Sequence, residues 1–334
     1  MRAPLIRLSC LLSLWIASSA SAVTMDWTPI GNPGNPCDPQ PTSPYGIAGG
    51  CFGSVGYSYS IGTYEVTTAQ YVEFLNAVAR SDPNGLWDAS MAPPYSNAGI
   101  TRSGISGAYA YSAIPGRENM PVNHVSFFST LRFANWLQNG QLIGFEGVGT
   151  TETGAYTLTA QGMSNNTITR NSNASIVLAS ENEWYKAAYY DPTTSSYLDY
   201  PAGSNAQVSC AAPTAMSNRA NCDVAAGRDL TNVGSYSGSA SPYHAFDLGG
   251  NVEEWNDTII NSSNGSGRGY RGGDFLSTPS ELARVYRSAW APTSGNTSEV
   301  FGFRVALIIT PEPSTGLLVI AGLLGLAAYR RQRA

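Results

Sequence analysis

The chain has 334 residues, a formal net charge of -5 and only 12% charged residues, against roughly 25% in an average soluble domain. Lys186 is its only lysine, so no basic stripe exists to neutralise phosphates and nucleic acid is excluded as a natural partner. The length suffices for a large core in one or two domains, and the abundance of Gly, Ser, Asn, Thr and Tyr fits a loop-rich exported surface.

Residues 1–22 place Arg2 and Arg7 before an apolar run that ends in Ala20-Ser21-Ala22, the layout of a cleavable secretory leader. The expected mature chain starts at Val23 and keeps Cys37, Cys51, Cys210 and Cys222, which in an exported protein should be oxidised. Three pairings are open; Cys37 with Cys51 and Cys210 with Cys222 are favoured because each staples a local loop. After a Gly/Pro/Cys-rich stretch over residues 23–56, "YSYSIGTYEVT" alternates as a strand does. A helix is predicted in "TTAQYVEFLNAVAR", with Thr67 or Thr68 as N-cap and Tyr71, Phe74, Leu75 and Val78 on one face.

Residues 81–120, rich in Gly, Pro and Tyr, read as a long surface excursion. A second helix is predicted in "VSFFSTLRFANWLQNG", ending at Gly140. A third follows in "ASENEWYKAAYY", where Ser180 and Glu183 form a capping box and Pro192 lies past the end. "RGYRGGDF" and "FGFRVALII" read as strands, and "GSGRGYRGG", which no helix follows, as a tight turn and not a phosphate loop. With no internal repeat and no alternation of strands and helices, the expected fold class is α+β, loop-rich, in a single domain.

His124 and His244 are the only histidines, and no HExxH, HxxxH or CxxC spacing occurs, so a zinc or non-haem iron site lacks ligands. His124 reads as a structural histidine. His244 could join Asp247 in a triad, but no G-x-S-x-G elbow supplies the serine. In "HAFDLGGNVEEWND" the adjacent Glu253 and Glu254 point to opposite faces of an extended segment and cannot form an acid/base pair. Asp247 and Glu254, with the carbonyls of Gly250 and Val252 between them, could instead converge on a hard cation such as calcium.

The C-terminus places Pro-Glu-Pro before an apolar run over residues 316–328 and ends in Arg330, Arg331 and Arg333. The run would make a helix of about 20 Å, short of the roughly 30 Å hydrocarbon core, so a permanent span is disfavoured. Residues 310–334 resemble the PEP-CTERM sorting signals of Gram-negative bacteria. That resemblance implies processing by an exosortase, transient anchoring by a short transmembrane helix, and release to the cell surface or extracellular matrix.

"YEVTTAQYVEFL", "MPVNHVSFFSTLRFANWL", "LASENEWYKAA", "FDLGGNVEEWND", "YRGGDF" and "FGFRVA" occur in this order over residues 57–309. Together they resemble the formylglycine-generating enzyme family, or sulfatase-modifying factor domains, whose fold is related to C-type lectins. The resemblance implies a calcium site on Asp247, Gly250, Val252 and Glu254, the same set that spacing selects. It implies a further site on Asn221, Cys222 and Asp229. Two motifs depart from the pattern, with Glu253 where the family has Trp and Val177 where it has Arg.

The copper-binding cysteine pair of the active family members maps onto Ser277 and onto Leu282 or Ala283, and these cannot replace thiolates as ligands for Cu(I); no copper is expected. The expected function is a non-catalytic, calcium-stabilised binding or structural module whose partner is a glycan or an extracellular protein. Tyr270, Asp274, Ser277, Tyr286, Arg287 and Trp290 are the candidates for its cleft. The alternative is an enzyme of altered chemistry acting on an exported protein or polysaccharide, with Asp274, Glu281 and Arg287 as its polar groups.

Overall fold

The computed structural model describes residues 22–262, 265–292 and 298–308. The leader and the C-terminal sorting signal expected from the sequence lie outside the described residues. Among the described residues no helix is long and apolar enough to cross a membrane.

The framework consists of β1 (Trp27–Ile30), β2 (Tyr59–Gly62), α1 (Thr68–Val78), α2 (Phe127–Gln138), β3 (Ile176–Leu178), α3 (Glu181–Tyr189), β4 (Glu253–Ser262), β5 (Gly265–Arg271), β6 (Ser288–Trp290), β7 (Phe301–Phe303) and β8 (Val305–Ile308). One sheet has the order β1-β2-β8-β3 and is antiparallel throughout; the other has the order β6-β5-β4-β7, with β7 parallel to β4. The fold is mixed α+β, as expected. "FGFRVALII", read from the sequence as one strand, is two: Phe301–Phe303 closes the second sheet, Val305–Ile308 enters the first, and Arg304 stands at the crossing.

The helices start where side chains satisfy their free N–H groups. Thr67 caps α1 with Gln70 reciprocating, Ser126 caps α2, and Ser180 with Glu183 forms the expected box on α3. The buried face of α1 carries Tyr71, Phe74, Leu75 and Val78; each such large apolar side chain contributes about 1.5–3 kcal/mol on burial. Phe133 of α2 packs at 5.4 Å from both Phe74 and Phe303, joining the two helices to the second sheet. Strand β2 alternates in sequence yet is buried at all four positions, because it lies between β1 and β8.

The excursion over residues 81–120 contains a hairpin, Ile100–Ser103 with Ala110–Ala113. Asn76 of α1 clamps it by exchanging hydrogen bonds with the backbone of Tyr111. Both favoured disulfides are formed, Cys37–Cys51 and Cys210–Cys222.

Candidate functional site

Two regions hold the residues that the sequence singled out. The first is a cleft where β4 and β5 meet the segment leading to β6. Its walls include Tyr45, Glu253, Tyr270, Glu281, Tyr286 and Arg287, and its enclosed volume is ≈ 10 Å³, about the room for one water. Of the six cleft candidates, Tyr270, Tyr286 and Arg287 line it. Tyr270 is held edge-on against Trp255 and Phe301, and Tyr286 edge-on against Tyr45. Trp290 stands on edge strand β6 with 47% of its surface exposed, its ring 6.3 Å from that of Phe301.

Asp274 and Ser277 lie in the turn after Gly272 and Gly273, whose φ angles of 101° and 69° suit glycine. Asp274 Oδ1 accepts hydrogen bonds from the Leu276 and Ser277 amides at 2.6 and 2.8 Å and from Ser277 Oγ at 3.2 Å. Arg287 makes a two-pronged ion pair with Glu181, with bonds of 2.8 and 2.6 Å. Glu181, at the start of α3, also receives Arg271 Nε at 2.8 Å. Burial alone would raise the Glu181 pKa, but Arg271 and Arg287 outweigh it and hold the carboxyl below its usual range.

Glu253 enters the cleft wall while Glu254 turns to the other face of β4, as their adjacency requires. Burial first, then the Asp274 and Glu281 carboxylates, raise the Glu253 pKa well above the ordinary carboxylate range. A Cβ on Gly273 would stand 2.9 Å from Leu282 and 3.2 Å from Ser277, so Ser277 and Leu282 are neighbours. Leu282 is fully buried in an apolar cluster with Val208, Ala220 and Cys222.

The second region is a buried polar core beneath the loop that precedes β4. Arg304, wholly buried, pairs with Glu254 at 2.6 and 2.7 Å and donates to the carbonyls of Gly62 and Phe246. Trp184 Nε1 donates to the same Glu254 at 2.8 Å. Asp247 sits at φ 56° and accepts the Gly234 amide at 2.5 Å. Its pKa is pushed up to about 6 by burial, with the Glu254 charge adding to the effect. Glu65 completes the group: Oε1 accepts from Asn251, while buried Oε2 has no hydrogen-bond partner among the described residues. Glu65, Asp247 and Glu254 therefore share this pocket with a single guanidinium.

Asn221 adjoins the same core. Its carbonyl accepts the Asn251 amide at 2.8 Å, and the left-handed Gly250 approaches so closely that a Cβ would lie 2.3 Å from that carbonyl. Asn221 Oδ1 is buried without a hydrogen-bond partner among the described residues. Its amide nitrogen donates to the Asp229 carbonyl at 2.9 Å. The Asp229 carboxylate instead faces Arg117 at 2.8 Å, and Cys222 is tied into its disulfide. The donors are all oxygen, as a hard cation requires, and Asn221 Oδ1 and the neighbouring Glu65 Oε2 are orphaned, but among the described residues no group of three or more acidic, histidine or cysteine side chains is placed to hold a metal ion. Glu254 and Asp229 are already committed, since both oxygens of Glu254 serve Arg304 and those of Asp229 serve Arg117 and the Leu230 amide.

The histidines take no part in either region. His244 is exposed, and the buried His124 approaches the Ser96 carbonyl at 3.1 Å. Sequence reasoning missed Glu65, Glu181 and Arg304. A charge set inside an apolar strand motif, as in "YEVT" and "FGFRVA", was the signal available for two of them.

The loop-rich α+β fold is shared with solved proteins. CarF is 17% identical with a TM-score of 0.55, covering 86% of this chain and 99% of its own. Treponema denticola variable protein 1 is 19% identical with a TM-score of 0.55, covering 86% of this chain and 98% of its own. These likenesses define the class as a single domain of C-type-lectin-related architecture. Residues 54–309 match the sulfatase-modifying factor enzyme 1-like domain, and the chain belongs to that family. No curated protein matches the sequence.

Proposed function

We propose that this chain is an exported, non-catalytic member of its family, a calcium-stabilised recognition module for a glycan or an extracellular polypeptide. It would act at the cell surface or in the matrix of a Gram-negative bacterium, after exosortase processing of a transiently membrane-anchored tail. The observation that carries the reading is that two of the candidate polar side chains, Asp274 and Arg287, are already engaged. Asp274 holds its own turn and Arg287 is locked to Glu181. Toward solvent stand Tyr45, 47% exposed, and the half-buried Tyr286, side chains that give large contact area at low conformational cost. Serine and a core leucine at the thiol positions leave no soft ligands for copper.

Calcium would be held by Asn221 Oδ1, the Cys222 carbonyl and Asp229, and by Asp247 with the carbonyls of Gly250 and Val252. Glu254 would join the latter set only by loosening its pair with Arg304. The second reading, an enzyme of altered chemistry, is favoured by one feature, Glu253 at the cleft wall, whose pKa burial and the nearby Asp274 and Glu281 carboxylates raise, the direction a general acid needs.

The test combines glycan and peptide arrays with product analysis, run on the wild type and on Glu253→Gln, together with metal analysis of the purified protein. Binding without product, and near-stoichiometric calcium that falls in Asn221→Ala, is the expected result. A product that disappears in Glu253→Gln would establish the second reading. Bound copper or iron would overturn the non-catalytic assignment, and absence of metal would remove calcium from it.

A further inference from the structure

Away from the cleft, residues 139–152 form an ordered loop whose side chains run against the usual pattern. Leu142, Ile143, Phe145 and Val148 are 51%, 73%, 72% and 85% exposed, whereas Glu146, set between Phe145 and Val148, is half-buried. Glu146 Oε2 accepts the Asn84 amide, and Oε1 is buried. The backbone is fixed: the Gly147 carbonyl accepts three successive amides from Thr150, Thr151 and Glu152, and Trp136 Nε1 binds the Leu142 carbonyl at 3.1 Å. The Gly144 amide ties the loop to Ala77 at the last turn of α1. Beyond that turn, Arg80 receives the Gly107 amide, which places Ile105, 76% exposed, beside the same helix end. A rigid loop that presents four large apolar side chains and hides its carboxylate needs an apolar counterpart.

The chain ends identify that counterpart. Val23 and Gln141 exchange two hydrogen bonds, at 2.6 and 2.8 Å. Ile308 bonds the Ser175 carbonyl, and Ser175 in turn donates to Gln138, the last residue of α2. The entry of the domain, its exit and the apolar loop therefore meet at one end of the molecule. Beyond Ile308, seven residues lead to the apolar run of residues 316–328 and the arginines at 330, 331 and 333. Seven residues reach at most about 25 Å. An apolar segment with a cationic end partitions into a bilayer with anionic headgroups, and a bilayer reached by this tether faces the loop.

We propose that Ile105, Leu142, Ile143, Phe145 and Val148 form a membrane-resting face that dips into the lipid interface while the tail is attached. The inference rests on tail anchoring, and the experiment separates the two. Full-length Phe145→Cys, in a Cys10→Ser background, is labelled with an environment-sensitive fluorophore and mixed with vesicles of phosphatidylethanolamine and phosphatidylglycerol. A Ser195→Cys protein, labelled at an exposed polar turn, is the reference. Flotation with the vesicles reads the tether. A blue shift and several-fold rise in emission at position 145, quenched by nitroxide on the acyl chains and absent at position 195, reads the face.

Flotation with a silent probe at 145 overturns the face and leaves the tether standing, while failure to float overturns both. A rise that follows protein concentration without lipid overturns the bilayer in favour of a second copy of the chain. In the labelled background, Ile143→Ser/Val148→Ser should reduce emission at 145 without abolishing flotation; unchanged emission would also overturn the face.

Discussion

Arg304 shows how much rests on one side chain at the crossing between two sheets. It is fully buried, and its partner Glu254 is also bound by Trp184. Removing one member of such a pair leaves an uncompensated buried charge, at a cost of about 3–5 kcal/mol. Arg304→Met should therefore lower stability by that amount in chemical denaturation, and Arg304→Met/Glu254→Gln should recover part of the loss. Full additivity of the two single changes would refute the coupling. Spacing grouped Asp247, Gly250, Val252 and Glu254; the structure sets Asp247 and Gly250 in the loop before β4 and Glu254 on β4 itself, paired with Arg304. Arg304 and Glu65 were invisible to spacing because they lie 50 and 189 residues from Glu254, so only tertiary packing joins them to the set.

Helix α3 concentrates the ionic work of the cleft floor in its first turn. Glu181 receives Arg271 and Arg287, while Glu183 accepts Arg170 at 2.9 and 2.7 Å and also caps the helix. Arginine pairing holds both carboxyls below their usual range despite burial. A depressed folded-state pKa gives stability that is present above the unfolded value and lost as pH falls through the folded one. Stability should accordingly decline as the solution is acidified below about 4.5. Glu181→Gln should lower the melting temperature at neutral pH and flatten that acid decline. An unchanged acid limb would show that Glu181 is not its source. The capping box of this helix was legible because cap and reciprocating residue are local in sequence. The guanidiniums it collects were not, since their positions depend on β5, on the segment before β6 and on the loop before β3.

For the whole molecule, the expected α+β architecture in one domain emerged from helix periodicity, caps and the order of the motifs. The division of the strands between two sheets did not, because "FGFRVALII" is uniformly apolar apart from Arg304 and marks no boundary. Ending the chain after Val300 would remove β7 and β8 together, and with them the strand that lies between β2 and β3. Such a truncation should be degraded rapidly in limited proteolysis, whereas one ending after Ile308 should resist it; equal resistance would refute a shared closing segment.

For the exported protein proposed above, that closing segment would also set the order of events in passage across a membrane. A polypeptide that crosses a membrane channel N-terminus first presents residues 301–308 after the rest of the described domain. Until they emerge, neither sheet is complete, the Arg304 counter-charge is missing from Glu254, and most pairings span large sequence separations that close slowly. Exported in this way, the domain would stay threadable until these residues emerge and lock only then.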